Sequence, residues 1–270
     1  MIDDLDPPHH DDPDAPVSPG ERAGGDAGGP PGRDPDDLDG YETSMTRLVS
    51  RGMRWVAALV ALLLLVPAGG WIVDELRFRS SGRAVEEAAG GALADSVFLV
   101  RSLGCAGSAG SGSAFVLDVG DGPVVVTNRH VVEGAASVGL RTLDGRDAVR
   151  VTGVRLAPTV DVAVLTVDDP DALPPALRIG PTVGVGDTVR IVGFPAAVPY
   201  TTSGTVVDDQ QGPLLLDARV DPGASGSPVV DGQDRVVAQV FARTDEGLGV
   251  ATPAAAVRAG VRAAEEPPPC

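Results

Sequence analysis

The 270-residue chain contains no lysine, so all 21 of its basic residues are arginine. Aromatics make up only 3% of it, and it has two cysteines and three histidines. Each scarcity excludes something. With so few aromatics, the core must be built from Val, Leu, Ile and Ala. The absence of lysine, beside abundant Ala, Gly, Pro and Val, marks a GC-rich genome rather than a function. Two cysteines without suitable histidines make no zinc site. His9 and His10 are adjacent, but no third ligand type lies near them in the sequence. No metal and no cofactor is therefore assigned. The net charge of −17 comes with no basic cluster, which leaves nucleic-acid binding without a footing.

That charge is unevenly spread. Residues 1–44 carry 13 acids against two arginines, and the remainder of the chain is only mildly acidic. The first 44 residues are rich in Asp, Pro and Gly and poor in large apolar groups. Such a segment cannot bury enough surface to offset the entropy of ordering, and it reads as a disordered acidic tail. A basic segment follows at 45–54, with Arg47, Arg51 and Arg54. From Trp55 to Val73 there are 19 residues without a charge, close to the roughly 20 that a membrane span needs. Trp55 and Trp71 stand near its two ends, where aromatic belts lie. Residues 55–73 thus read as a single transmembrane helix, and the positive-inside rule puts the N-terminus in the cytoplasm and the rest outside. A second reading stays open. If translation starts at Met45, the same run is the apolar part of a signal peptide cleaved near Val66-Pro67-Ala68, and the product is secreted. Residues 74–94 read as a polar linker with a short helical piece at 83–89.

From residue 95 to the end the pattern changes. Val-rich runs of four to eight residues alternate with Gly, Pro and Asp, the signature of an all-β domain. Three segments in it carry chemistry together. PVVVTNRHVVEG (123–134) holds His130, the one histidine after the apolar run. TVDVAVLTV (159–167) sets Asp161 at the start of an apolar strand. DPGASGSPVV (221–230) holds Ser225 and Ser227 in a Gly-rich turn, and lacks the G-x-S-x-G elbow because position 227 is Ser. Singly, each has a structural explanation. Jointly they offer a nucleophile, a base and a carboxylate in the order His, Asp, Ser. A serine hydroxyl attacks at neutral pH only when an imidazole takes its proton and a carboxylate fixes that imidazole.

These stretches resemble the trypsin-like serine proteases, and among them the HtrA/Deg-like branch. GSGSAFVL (110–117), TNRHVVEGA (127–135), DVAVLTV (161–167), GFPAAVPYTTSGTVV (193–207) and LDARVDPGASGSPVVDGQDRVVAQVFA (216–242) are similar, in order, to the segments of that family. The resemblance covers about residues 95–260. It implies a chymotrypsin-like fold: two six-stranded antiparallel β-barrels and a C-terminal helix, here within residues 95–270. It implies peptide-bond hydrolysis of a protein or peptide substrate through an acyl-enzyme. Ser225 would be the nucleophile, His130 the general base and Asp161 its partner. The backbone N–H groups of Gly223 and Ser225 would form the oxyanion hole. No PDZ domain is expected in the few residues after Thr252, which read instead as a helix over 252–266 capped by Thr252.

The sequence also departs from the family. Ala224 stands where trypsin has Asp and HtrA-like enzymes have Asn, so the loop at 208–224 lacks its usual polar contact. Ser227 stands where Gly is usual and is expected to be tolerated. The primary specificity pocket is expected around Arg219, Val240, Phe241 and Ala242, with a base that does not favour Lys or Arg in the substrate. Cys105 and Cys270 resemble the terminal disulfide of the actinobacterial membrane-anchored MarP-like proteases. A competing function is a catalytically inactive protease fold that binds peptides or senses a signal. Its mark would be a missing triad residue.

Overall fold

The computed structural model describes residues 37–145, 148–209 and 212–268; in its first helix, side chains are described at 53–60, at 62 and 63, and from 70 onward. The chain divides into two units, Met1–Leu62 and Leu63–Cys270. Of the first unit, the described residues all belong to helix α1 (Asp37–Ala89).

Helix α1 begins inside the acidic tail and continues through the expected linker. Of these extensions the sequence pattern suggested only a short helical piece at 83–89. Once an apolar run has nucleated a helix, each added residue gains a hydrogen bond without a new nucleation cost. Toward its end the helix also gains a packed face. Phe78, Val85 and Ala89 recur at helical spacing and are buried in the same core cluster as the first-barrel residues Leu99 and Phe115. The packed core thus reaches back to Phe78. Helix α2 (Gly91–Asp95) completes the connection, with Leu93 and Ala94 buried. Among the described residues no helix is long and apolar enough to cross a membrane. The expected span at 55–73 includes residues 61 and 64–69, whose side chains lie outside the described part.

Six antiparallel strands then close a first barrel: β1 (Val97–Gly104), β2 (Ala109–Asp118), β3 (Pro123–Thr127), β4 (Ala135–Thr142), β5 (Ala148–Leu156) and β6 (Ala163–Val167). Their order is β1-β4-β5-β6-β3-β2, and the β1–β2 pairing shuts the ring. A two-residue strand, β7 (Leu177–Arg178), adds in parallel to β2. The second barrel is also closed and six-stranded: β8 (Thr188–Gly193), β9 (Tyr200–Asp208), β10 (Leu214–Asp217), β11 (Pro228–Val230), β12 (Val236–Arg243) and β13 (Gly249–Pro253). The fold is therefore the double barrel that the sequence resemblance implied.

Closure removes exposed strand edges and leaves each barrel its own core. Phe98, Val100, Val116 and Leu140 fill the first, and Ile191, Leu216, Val229 and Val240 the second. A further cluster joins Leu117 and Val126 of the first barrel, Val192 and Val230 of the second, and Val257 and Val261 of helix α4 (Ala254–Ala263). The C-terminal helix is present, but Thr252 does not cap it. Thr252 pairs with Gln239 inside β13, and Pro253 occupies the N-cap position. After α4 the chain returns to the first barrel, where Glu265 pairs with Leu156.

Candidate active site

Strand β3 ends at Thr127, and a one-turn helix, α3 (Arg129–Val132), follows Asn128. Val131 and Val132 are buried, which turns His130 outward to solvent. Asp161 closes the loop before β6. The two residues meet twice. His130 Nδ1 lies 2.6 Å from Asp161 Oδ2, and the main-chain N–H of His130 donates to Oδ1 at 3.0 Å. Asn128 Nδ2 donates to the Asp161 carbonyl at 2.7 Å, which fixes the backbone of the carboxylate's own residue. Burial pushes the Asp161 carboxyl up. The hydrogen bonds from His130 outweigh that and hold it below the usual aspartate value.

Ser225 comes from the other barrel, in the loop before β11. Its segment is built from two successive turns. Ala224 N–H donates to Asp221 O at 3.0 Å, and Ser227 N–H donates to Ala224 O at 3.0 Å. Gly223 and Gly226 occupy the third position of each turn, with φ of 98° and 88°. Those values suit type II turns, in which the third residue needs positive φ, and Pro222 suits the second position of the first. At Gly226 a Cβ would lie 2.0 Å from Ser113 O, so glycine is required for close approach as well.

Three of the loop's carbonyls are held by residues outside the loop. Pro222 O accepts from Ala196 N–H at 2.8 Å, Gly223 O from Ser113 Oγ at 3.2 Å, and Ser225 O from Ser113 N–H at 2.7 Å. The N–H groups of Gly223 and Ser225 have no backbone acceptor among the described residues. Two unpaired N–H groups flanking one alanine are what an oxyanion site needs. The Ala224 side chain contributes no polar contact. Its methyl is buried in the second barrel's core, so the loop is ordered by main-chain bonds and by Ser113.

Gly112 brings the two halves together. A Cβ there would lie 2.8 Å from the Val131 methyls and 3.0 Å from Ser225 O. Ser225 is therefore packed beside the residue that follows His130. Ser225 is half-buried, and its Oγ makes no hydrogen bond to a described residue. Catalytic hydrogen bonds are often long before substrate binds.

The expected pocket residues divide. Arg219 is exposed and its Nε donates to Asp221 Oδ2 at 2.9 Å. Arg243 approaches the same carboxylate at 3.6 Å, so Asp221 sits between two arginines beside the oxyanion loop. Phe241 and Ala242 are half-buried. Val240 does not line a pocket: its side chain is fully buried in the second barrel's core. Its backbone still serves the site, accepting from Gly226 N–H and donating to Ser227 O. Gln239, beside it, is fully buried, and both its amide atoms lack a hydrogen-bond partner among the described residues. Cys105 takes part in a disulfide, and Cys270 lies outside the described residues. Among the described residues no group of three metal-ligating side chains stands together. Sequence reasoning missed Ser113 and Ala196, which hold the loop. The Gly-Ser-Gly-Ser run around Ser113 was the one signal available for either.

Residues 112–238 match the model of the trypsin-like peptidase domain. A putative serine protease, HhoB, of Synechocystis is 33% identical over 159 residues, covering 53% of this chain and 38% of that protein. The mitochondrial serine protease HTRA2 of Bos taurus is 29% identical over 163 residues, covering 55% of this chain and 35% of that protein. The chain thus spans under half the length of these curated relatives. Among solved structures, the active form of the Rv3671c protease from M. tuberculosis superposes with a TM-score of 0.58 at 25% identity, over 69% of this chain and 88% of that one. An inactive form of the same protease gives 0.53 at 26% identity, over 69% and 93%. With the barrels closed and His130 joined to Asp161, the chain is similar in sequence and in fold to trypsin-like peptidases, the HtrA-type ones among them.

Proposed function

We propose that the chain is a serine endopeptidase. The observation that carries this reading is the pair of hydrogen bonds between His130 and Asp161, set beside a serine loop whose Gly223 and Ser225 N–H groups have no backbone acceptor among the described residues. Ser225 Oγ attacks the scissile carbonyl carbon while His130 Nε2 takes its proton. Asp161, through Nδ1, keeps the imidazole in the right tautomer and stabilises it once protonated. The carbonyl oxygen becomes an oxyanion, received by the N–H groups of Gly223 and Ser225. His130 then gives its proton to the leaving amine, and the acyl group stays on Ser225 until water, deprotonated by His130, releases it. No cofactor enters these steps.

The substrate is a protein or peptide. The arginines flanking Asp221 give the entrance no free negative charge for a basic side chain, and cleavage after Lys or Arg is disfavoured. Residues 55–73 anchor the chain in a membrane, with residues 1–54 cytoplasmic and the peptidase domain outside. The uncharged run and the arginines before it support this, and N-terminal sequencing of the native protein separates an anchor from a signal cleaved near residue 67. Cys105 pairs with Cys270. This is supported by the bonded state of Cys105 and by Glu266, Pro267 and Pro268, which line one groove with it. Non-reducing peptide mapping tests it.

The central test is labelling of the full-length chain, purified in mild detergent, with a fluorophosphonate reagent. Wild type is expected to label and Ser225→Ala to remain blank. A folded wild type that does not label leaves the inactive, peptide-binding reading in its place.

A further inference from the structure

We propose that Ser113 is the positioning residue of the oxyanion loop: a hydroxyl from the first barrel that holds the loop of the second in the conformation with both N–H groups free. This rests on the endopeptidase reading and adds to it a residue outside the triad.

Ser113 lies in β2 and is fully buried. All its polar atoms are used, and all are used across segment boundaries. Its Oγ accepts the Phe194 N–H at 3.0 Å and donates to Gly223 O at 3.2 Å. Its N–H donates to Ser225 O at 2.7 Å, and its carbonyl accepts the Thr127 hydroxyl at 2.7 Å. One residue therefore ties the strand that precedes His130 to the Gly223–Ala224 and Ser225–Gly226 peptides of the nucleophile loop, and to the turn after β8.

The need for such a tie follows from Gly223. Glycine has the widest backbone freedom of any residue, and the Gly223 N–H is one of the two groups aimed at the oxyanion. Its neighbour Ala224 has no polar side chain to restrain it. Two bonds restrain it instead. On its N-terminal side Ala196 N–H holds Pro222 O, which sets the direction of the Gly223 N–H in the same peptide plane. On its C-terminal side the Ser113 hydroxyl holds Gly223 O. The same hydroxyl accepts the Phe194 N–H, and Phe194 begins the turn that presents Ala196. Ser113 thus bears on both restraints at once. Without it, Gly223 O is a half-buried carbonyl lacking a donor, and rotation of that carbonyl becomes the way to regain one.

The test compares Ser113→Ala and Ser113→Thr with wild type in the full-length chain, using a fluorophosphonate and separating its reversible affinity from its inactivation rate. Its phosphoryl oxygen occupies the oxyanion position, so the rate reports the loop. Loss of one oxyanion donor typically costs about 10²–10³ in rate, so loss of a residue that only aims one is expected to cost about tenfold or somewhat more. Ser113→Ala is expected to lose that factor in the inactivation rate with its affinity near wild type and its melting temperature lowered by only a few degrees, about what one or two unsatisfied polar groups cost, and Ser113→Thr to recover most of both. A reactive wild type with an equally reactive Ser113→Ala overturns the inference and leaves the endopeptidase reading intact. A loss that comes with a collapsed melting temperature, or that Thr does not rescue, also overturns it, because the hydroxyl is then only part of the packing. An unreactive wild type overturns the endopeptidase reading itself.

Discussion

Asp161 accepts from His130 twice, once from the ring Nδ1 and once from the main-chain N–H, with separate oxygens. Only a carboxylate offers two acceptors at these places. Asparagine has one oxygen and one NH₂ group. Whichever donor of His130 it satisfies, its NH₂ faces the other. If it faces Nδ1, the imidazole is forced into the tautomer with its proton on Nε2, where it cannot take the Ser225 proton. Asp161→Asn is expected to lower kcat by the order of 10⁴ while leaving a folded protein. Burst and steady-state kinetics on a cleavable peptide, with a melting curve, check both halves.

The same pair predicts how acid affects stability. Asp161 is held below the ordinary aspartate value of about 3.9 that it would show unfolded. A group depressed on folding stabilises the native state fully above its unfolded value. That contribution is lost as pH falls from there toward the lower folded value. Urea midpoints between pH 6 and pH 3 are expected to fall in wild type and to fall less in Asp161→Asn. Equal slopes in the two proteins would remove Asp161 as a source of acid lability.

Ala196 and Ala197 are both in the left-handed region, with φ of 52° and 60°. An L-residue there costs roughly 1–2 kcal/mol, and the cost persists because Ala196 N–H must reach Pro222 O. Glycine removes the steric part and returns some of it as chain entropy, about 0.5–1 kcal/mol. Ala196→Gly is expected to stabilise the domain by about 0.5 kcal/mol in chemical denaturation while preserving fluorophosphonate labelling, since the N–H is retained. Loss of stability would mean the methyl is packed rather than strained.

These relationships differ in how far the sequence reveals them. His130 and Asp161 are legible because a base and a carboxylate at the ends of apolar strands have few other reasons to be there. The double barrel is legible from short Val-rich strands and the family resemblance. Ser113 is not, because its role depends on a contact between residues 110 positions apart, and a serine in a strand has no special pattern. Val240 was misplaced because a side chain near the site and a backbone near the site look alike in sequence. The helical stretch from Asp74 to Ala89 reads as a polar connector with only a short helical piece because its buried stripe is Phe78, Gly82, Val85 and Ala89, and two of these four are glycine and alanine.

That stripe begins at Phe78, whose ring stacks on Phe194 with centroids 6.0 Å apart and is covered by the Arg141 guanidinium at 4.2 Å. Glu75 holds the same arginine from the helix, at 2.8 Å. Phe194 in turn donates its N–H to Ser113. Phe78→Ala is expected to cost about 3 kcal/mol through the cavity it leaves. Because Phe194 loses its stacking partner, labelling of Ser225 is expected to slow as well. Phe78→Leu fills most of the volume and is expected to recover most of the stability in the same denaturation series. Full activity in a destabilised Phe78→Ala would show that the helix supports the fold without bearing on the loop.

Ser227 stands two residues after the nucleophile, fully buried, and its hydroxyl has no hydrogen-bond partner among the described residues. A Cβ built on Gly193 would fall within contact of that hydroxyl and 2.9 Å from Ser113 Oγ, so glycine at 193 makes room for both side chains. A buried hydroxyl without a partner costs roughly 1–3 kcal/mol relative to one that is satisfied. Ser227→Ala keeps the Cβ and the turn while removing the hydroxyl. It is expected to raise stability by about 1 kcal/mol, or about 2–4 °C in melting temperature for a domain of this size. Ser227→Gly removes the hydroxyl too but adds chain entropy to the unfolded state, and is expected to gain less. Labelling should persist in both, since the reactive oxygen is that of Ser225. A loss of stability in Ser227→Ala would instead reveal a bound water or a hydrogen bond to Ser113 that the hydroxyl normally makes.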